Sequence, residues 1–474
     1  DTGRTEATHL RRITHLFPCW HTDSTPDAAP NREVKSMVVA DSLLGHKKLI
    51  QRARTWMLVG LLWSYFGTTV VGGAVPVLVS LGLLPLLWLP LMATLESLQD
   101  MCSAAAARVL RRFEAGKILV QCEIADVGLT VVAAAFVFTL DRHWSVVVLC
   151  VYTAATSFLP LFIDLAEEFY GAEIEEKDPG SAAKFNTYLY AAMPAVSQFA
   201  SGPLGSLLAG WSIVTVLSVN AAASLLAIAA RYRSLRLGRR VGIGDAPATS
   251  PPPQDDAVEH TTPGHDKERA IMTLRSLARL QGPGSPLFSA AVPLATGLSA
   301  AYLGQWAASF TSNKGPFFAV TAICVGIGAL VGPFLARAAV SRIDASIVLY
   351  AGSLLTAALM GAGALYVVTV DPGSPGGRHV TIVIGYLIYT TLTTLLLSGV
   401  GVTQITARQQ LFHGDRFVQV MSWGHSLAAA GALIGVWAGL LLNTAQHPAP
   451  ALILGGVLLA LTFLLLRPGR SATT

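Results

Sequence analysis

Apolar positions run through this chain in stretches too long for helices that bury only one face. Residues 56–95 pass without a single charged side chain. A helix needs about 20 apolar residues to cross a hydrocarbon layer of roughly 30 Å. By that measure the first six spans fall at 56–79, 83–106, 118–139, 144–165, 185–209 and 212–231. After a polar gap the pattern resumes at 286–309, 316–338, 346–370, 379–402, 417–441 and 449–466, which makes twelve spans in two sets of six. The first apolar stretch is too long for one crossing, and Ser80 and Gly82 offer the turn that divides it.

The polar positions between spans give an orientation. Arg52 and Arg54 precede the first span, and Arg108, Arg111, Arg112 and Lys117 lie between the second and third. Arg231, Arg233, Arg236, Arg239 and Arg240 follow the sixth, Arg337 and Arg342 the eighth, Arg408 and Arg416 the tenth, and Arg467 and Arg470 the twelfth. If the spans alternate, all of these lie on one side, and the intervening loops are short and poor in basic residues. Basic residues concentrate on the cytoplasmic side, so both termini and the central linker are expected there. The loop 164–184 is mainly acidic, and acidic residues weigh little in this rule.

Composition agrees with a polytopic membrane protein. Of 474 residues, 53% are hydrophobic and 13% charged, and the mean hydropathy is +0.55. A soluble domain carries about a quarter charged residues, disorder requires low hydrophobicity, and disulfide scaffolds are short and cysteine-dense, unlike five cysteines in this length. The net charge of +5 follows from the basic loops and implies no nucleic acid. The sequence divides into a polar cytoplasmic tail at 1–55, a six-helix half at 56–232, a linker at 233–285, a second half at 286–467 and a short tail at 468–474. The first tail has no apolar run fit for a signal core, and the spacing of His9, His15, His21, His46 and Cys19 matches no closed metal site. The linker, with Pro251, Pro252 and Pro253, lacks the apolar content of a core. Richness in alanine, glycine and arginine associates the chain with a high-GC bacterium, hence with a bacterial plasma membrane.

An internal repeat strengthens the two-half reading. Arg112-Phe113-Glu114-Ala115-Gly116-Lys117-Ile118-Leu119 recurs as Arg342-Ile343-Asp344-Ala345-Ser346-Ile347-Val348-Leu349, at the equivalent hinge of each set of six. Parallel repeats of this kind build transporters around a central pathway.

With these residues in view, the chain resembles the major facilitator superfamily over about residues 50–467, most closely its twelve-span drug and siderophore exporter branch. The family signature between spans two and three approximates Gly-x-Leu-Ala-Asp-Arg-x-Gly-Arg-Arg. Here Arg112 stands at its arginine, Arg111 replaces the aspartate and Glu114 the second glycine. The resemblance implies that the aspartate's latching role is altered or supplied by Glu114. The span-eight copy keeps Gly332, Pro333 and Arg337. Gly202-Pro203-Leu204-Gly205 is similar to the family's antiporter element, with Gln198 at its preceding glycine. Ala407-Arg408-Gln409-Gln410, then Asp415-Arg416 and a glycine-rich span eleven, are similar to the branch's tenth-to-eleventh loop. The resemblance implies an all-α membrane protein of twelve helices in two pseudo-symmetric halves, a monomer that carries a small-molecule substrate and protons.

Charged residues inside spans are costly and call for a partner, a watery cavity or a function. Glu96 and Asp100 share one face of span two, either as a pair that shares a proton or as interfacial residues beside Arg108 and Arg111. Glu123 is near enough to the interface to pair with an arginine, whereas the deeper Asp126 suits proton binding or a charge pair between spans. Histidine as a residue type titrates near neutrality, so His425 in span eleven is either a proton-coupling residue or one that simply packs. Gln198, Asn220, Gln305 and Gln404 line a polar pathway or bridge helices. Trp63, Tyr65, Phe66 and Trp306 stack on an aromatic or lipophilic substrate or pack against lipid and neighbours.

No ATP-binding Gly-x-x-x-x-Gly-Lys-Ser/Thr sequence occurs, no cofactor is implied, and no nucleophile or metal-ligand set has the spacing of an enzyme. The preferred reading is proton-coupled efflux of a moderately hydrophobic organic compound. An importer or facilitator, or a non-transporting receptor or scaffold on the same fold, stays open.

Overall fold

A computed structural model describes residues 30–110, 113–163, 166–167, 170, 192–242, 285–369, 377–411 and 414–465. Arg112 lies outside the described residues, as do most of the 1–55 tail, the acidic loop and the linker; the side chains of Asp100 and Arg416 are outside them too. The chain forms two units, Asp1–Leu49 and Ile50–Thr474. In the first, the described residues from Pro30 on are helical.

The helices are α1 (Pro30–Ser80), α2 (Trp88–Leu110), α3 (Ala115–Thr139), α4 (Arg142–Ser157), α5 (Gly202–Ala209), α6 (Ile213–Arg239), α7 (Pro286–Gly297), α8 (Ala300–Ala308), α9 (Lys314–Val340), α10 (Ala345–Thr369), α11 (Gly377–Leu411), α12 (Gly414–Leu441) and α13 (Pro448–Leu465). Backbone groups have no water to bond in a bilayer, so a spanning chain satisfies them within helices. Among the described residues nine helical segments are long and apolar enough to cross, from Gly45–Ser80 to Trp423–Leu441. The protein is an integral, multi-pass membrane protein. The nine match expected spans one, three, four and six to eleven. Of the other three, 83–106 corresponds to α2, 449–466 to α13, and 185–209 is described from residue 192.

Several boundaries follow from local chemistry. α1 stops at Ser80, and Gly82, at φ 66°, occupies the left-handed region that costs glycine nothing. α3 starts at Ala115 and α10 at Ala345, the same position of the eight-residue repeat. Asp344 Oδ1 accepts from the Ser346 N–H at 2.7 Å, an aspartate capping free donors of a helix start. Glu114 makes no such cap bond and pairs instead with Lys117 Nζ at 2.8 Å. The repeat's last leucines, Leu119 and Leu349, are both buried.

The sixth span does not end at Arg231, because α6 continues to Arg239. Sequence reading places Arg231 and Arg408 in cytoplasmic loops, yet both are buried inside helices, α6 and α11. Each is held by buried acceptors that the linear sequence does not reveal. The seventh span is broken, α7 giving way to α8 at Leu298 and Ser299.

Helix pairing repeats along the chain. Before residue 242, α2 packs on α4 and α3 on both α4 and α6; after residue 285, α9 packs on α11 and α10 on both α11 and α13. α5 against α9 and α2 against α12 join the two regions. Small residues permit the closest crossings, as is usual where lipid gives helices no hydrophobic reason to associate. At α1–α5, a Cβ on Gly205 would lie 2.0 Å from the Val70 carbonyl oxygen and one on Gly73 2.4 Å from that of Gly202. At α7–α12, Gly431, Gly435 and Gly439, one turn apart, lie against the carbonyls of Ala290, Leu294 and Leu298. Exposed Trp144 and Trp211 sit at helix ends, where amphipathic rings mark a membrane interface.

Candidate functional site

The site grows from a matching of helix faces. Positions i, i+4, i+7 and i+11 lie on one side of a helix. On α3 these are Leu119, Glu123, Asp126 and Thr130; on α6 they are Asn220, Ser224, Ala227 and Arg231. The helices pack together, so the two polar stripes meet. α1 closes over them with glycines: a Cβ on Gly60 would lie 2.7 Å from Arg231 Cγ, and one on Gly67 2.5 Å from Asn220 Oδ1. Side chains at these positions would displace Arg231 or Asn220.

Contacts then form a ladder along the α3–α6 seam. Arg231, 0% exposed, lies 3.0 Å from Glu123 Oε1 and 2.7 Å from Glu167 Oε1. Its Nη1 also donates to the Leu119 carbonyl at 3.4 Å. Deeper along the seam, Asp126 Oδ2 accepts from Ser224 Oγ at 2.8 Å and from Asn220 Nδ2 at 3.4 Å. Asn220 also donates to Thr130 Oγ1 at 3.0 Å and Tyr152 Oη at 3.1 Å. A buried guanidinium with two carboxylates compensates much of its desolvation, whereas Asp126 is held by neutral donors alone in these contacts.

A cavity of about 350 Å³ opens on this seam. Asp126, Glu123, Glu96, Glu167 and Arg231 line it, together with Tyr65, Tyr152, Asn220, Gln99, Thr68 and apolar Leu61, Met92 and Ile163. One guanidinium and four carboxylates therefore line the same partly apolar cavity, two of the carboxylates in contact with the guanidinium. Such a mixture of apolar surface and a few convergent polar groups is the usual character of a small-molecule site.

Among the sequence candidates, the cavity gathers Asp126, Glu123, Glu96, Asn220 and Tyr65. Others lie elsewhere. Trp63 is exposed and meets Phe66 edge-on at 5.6 Å. Phe66 packs on the apolar core, and His425 is exposed on α12. Gln198 falls in the π-helical turn Val196–Ser201 that leads into α5, its Cβ against Gly326. Trp306 is buried against Phe310 at 5.2 Å, and Gln305 Nε2 donates to the Pro76 carbonyl at 3.0 Å. Gln404 donates to Ser289 Oγ at 3.2 Å, beside Arg408, which donates to the same hydroxyl at 2.7 Å and to the Ser285 carbonyl at 2.9 Å.

The described glycines and proline of the motifs sit at helix crossings. Gly202, Pro203 and Gly205 are buried where α5 crosses α1. Gly332 faces the Leu395 carbonyl and Ser398 on α11, and Arg337 is exposed in the last turn of α9. Sequence reasoning passed over Arg231, Glu167, Ser224 and Tyr152 as site residues. The matched i, i+4, i+7, i+11 stripes were the available signal. Among the described residues no group of three or more His, Cys, Asp and Glu is placed to hold a metal ion.

No family model matches the chain, and no curated protein matches it. Solved structures do. A bacterial homologue of the iron transporter ferroportin, in an inward-facing state, is 17% identical with a TM-score of 0.58, covering 87% of this chain and 98% of its own. A mutant peptide transporter POT in complex with sulfate is 13% identical with a TM-score of 0.60, covering 87% and 93%. A bacterial metal transporter is 16% identical with a TM-score of 0.51, covering 88% and 97%. At such identities the likeness shows a shared fold and nothing finer.

Proposed function

We propose that this chain is a secondary active transporter that exports a moderately hydrophobic organic compound in exchange for protons. Its membrane region is read as twelve helices in two six-helix halves, which rock about a site near the middle of the bilayer. The helix pairings that recur before residue 242 and after residue 285 support the two halves.

The observation that carries the reading is the cavity at the α3–α6 seam, where Asp126 is bonded to Ser224 and Asn220 rather than to a cation. A carboxylate held by neutral donors can gain and lose a proton without stranding a buried positive charge. Glu123 cannot do so at equal cost, because Arg231 depends on it. Asp126 is thus the proton-binding group of this proposal, and Glu123 is a structural charge. The aromatic and aliphatic walls, Tyr65, Tyr152 and Met92 among them, suit an organic solute better than a strongly hydrated one.

Energised inverted vesicles containing the protein test the proposal with a fluorescent lipophilic dye. The dye is expected to accumulate, and to be released when the proton gradient is collapsed. Accumulation that persists after collapse contradicts proton coupling.

A further inference from the structure

Two hydrogen bonds join helices before residue 242 to helices after residue 285, away from the α3–α6 seam. Gln305 Nε2 on α8 donates to the Pro76 carbonyl of α1 at 3.0 Å. Trp437 Nε1 on α12 donates to Thr94 Oγ1 of α2 at 3.0 Å. All four residues lie at the same end of the bundle. Pro76 stands one turn before the end of α1 at Ser80, and Thr94 lies early in α2, which begins at Trp88 after the connecting turn. Gln305 and Trp437 occupy the last turns of α8 and α12. A cleft of about 590 Å³ opens at this end, lined by Gly82, Leu84, Gln305, Ser309, Lys314 and Ala445, which come from both sides of the linker.

The chemistry of the two bonds suits contacts that open and close. The Pro76 carbonyl stands in the last turns of α1, where it can take the Gln305 amide as a second donor and lose it again without dismantling the helix. Thr94 gives its own proton to the Pro90 carbonyl at 2.7 Å, which leaves its oxygen to accept from the indole. Both bonds are between neutral groups, and each contributes modestly when made. Breaking either one strands no charge.

We propose that Gln305 and Trp437 are positioning residues that latch this end of the bundle shut, and that the 590 Å³ cleft is the mouth which widens when they release. The inference rests on the transporter reading, since a carrier must open its two ends in turn.

Spin labels at Leu83 and Ser312, one on each side of the cleft end and both exposed, test it by pulsed electron–electron distance measurement on the purified protein. Each is introduced as a cysteine after Cys19, Cys102, Cys122, Cys150 and Cys324 are replaced by serine. Gln305→Met and Thr94→Val each remove one bond while nearly conserving volume. Each is expected to raise the ratio of long to short separations about fivefold, the change set by one neutral hydrogen bond, and the pair more. Distributions that match the parent in both folded variants overturn the latch. If Gln305→Met fails to fold, Thr94→Val decides alone. No solute is involved, so the outcome is independent of whether dye accumulation needs a proton gradient.

Discussion

Arg231 Nη1 lies 3.0 Å from Glu123 Oε1, with the two side chains 0% and 1% exposed. This pair, extended by Glu167, is the charged centre of the α3–α6 seam. Its energetics are asymmetric, because removal of one partner leaves the other charge buried and unmatched.

Arg231→Leu is therefore expected to lower stability by about 3–5 kcal/mol, since it strands two carboxylates. Adding Glu123→Leu and Glu167→Leu to the same chain should recover most of that loss. Thermal unfolding of the detergent-solubilised variants checks both statements. A triple variant no more stable than Arg231→Leu would refute the electrostatic account of the seam.

Glycines at the crossings should separate by what a methyl group meets. Gly205→Ala drives a Cβ to within 2.0 Å of the Val70 carbonyl oxygen, so α1 and α5 must move apart, at a cost of about 1–3 kcal/mol. Gly72→Ala meets nothing within 4 Å and should be neutral or stabilising by up to about 1 kcal/mol. Melting temperatures of the two variants against the parent measure the contrast.

The two copies of the internal repeat start their helices at the same register with different chemistry. Asp344→Ala removes a side-chain cap from α10 and should cost about 1 kcal/mol. Glu114→Ala removes only the exposed Lys117 pair and should cost under about 1 kcal/mol. Unfolding midpoints again decide, and equal effects would contradict the assignment of the cap to Asp344 alone.

What the sequence made legible was local. The turn at Gly82 follows from an apolar run too long for one span, and the starts of α3 and α10 follow from the repeat. The carboxylates Glu123 and Asp126 announce themselves by their cost in an apolar helix. Arg231 and Arg408 were hidden by the very rule that orients the chain, which assigns basic residues at the edge of an apolar run to a loop. Their acceptors are distant in sequence; Glu167 lies 64 residues from Arg231, and Ser285 123 from Arg408. One sequence carries no record of such pairings. Of the aromatic candidates Tyr65 lines the cavity, whereas Trp63, Phe66 and Trp306 meet neighbouring rings or the core; the sequence does not separate them, because an aromatic side chain in a membrane helix packs equally well on lipid, on a neighbour or on a solute.

In the proposed exchange Asp126 carries the proton, and Asp126→Asn in inverted vesicles removes that proton site while leaving its Ser224 and Asn220 neighbours in place. Ser224 can still donate to the amide oxygen, so the seam should keep its shape. The variant is expected to lose gradient-driven accumulation of the dye while still equilibrating it across the membrane when no gradient is applied. Accumulation equal to that of the parent protein would contradict the account.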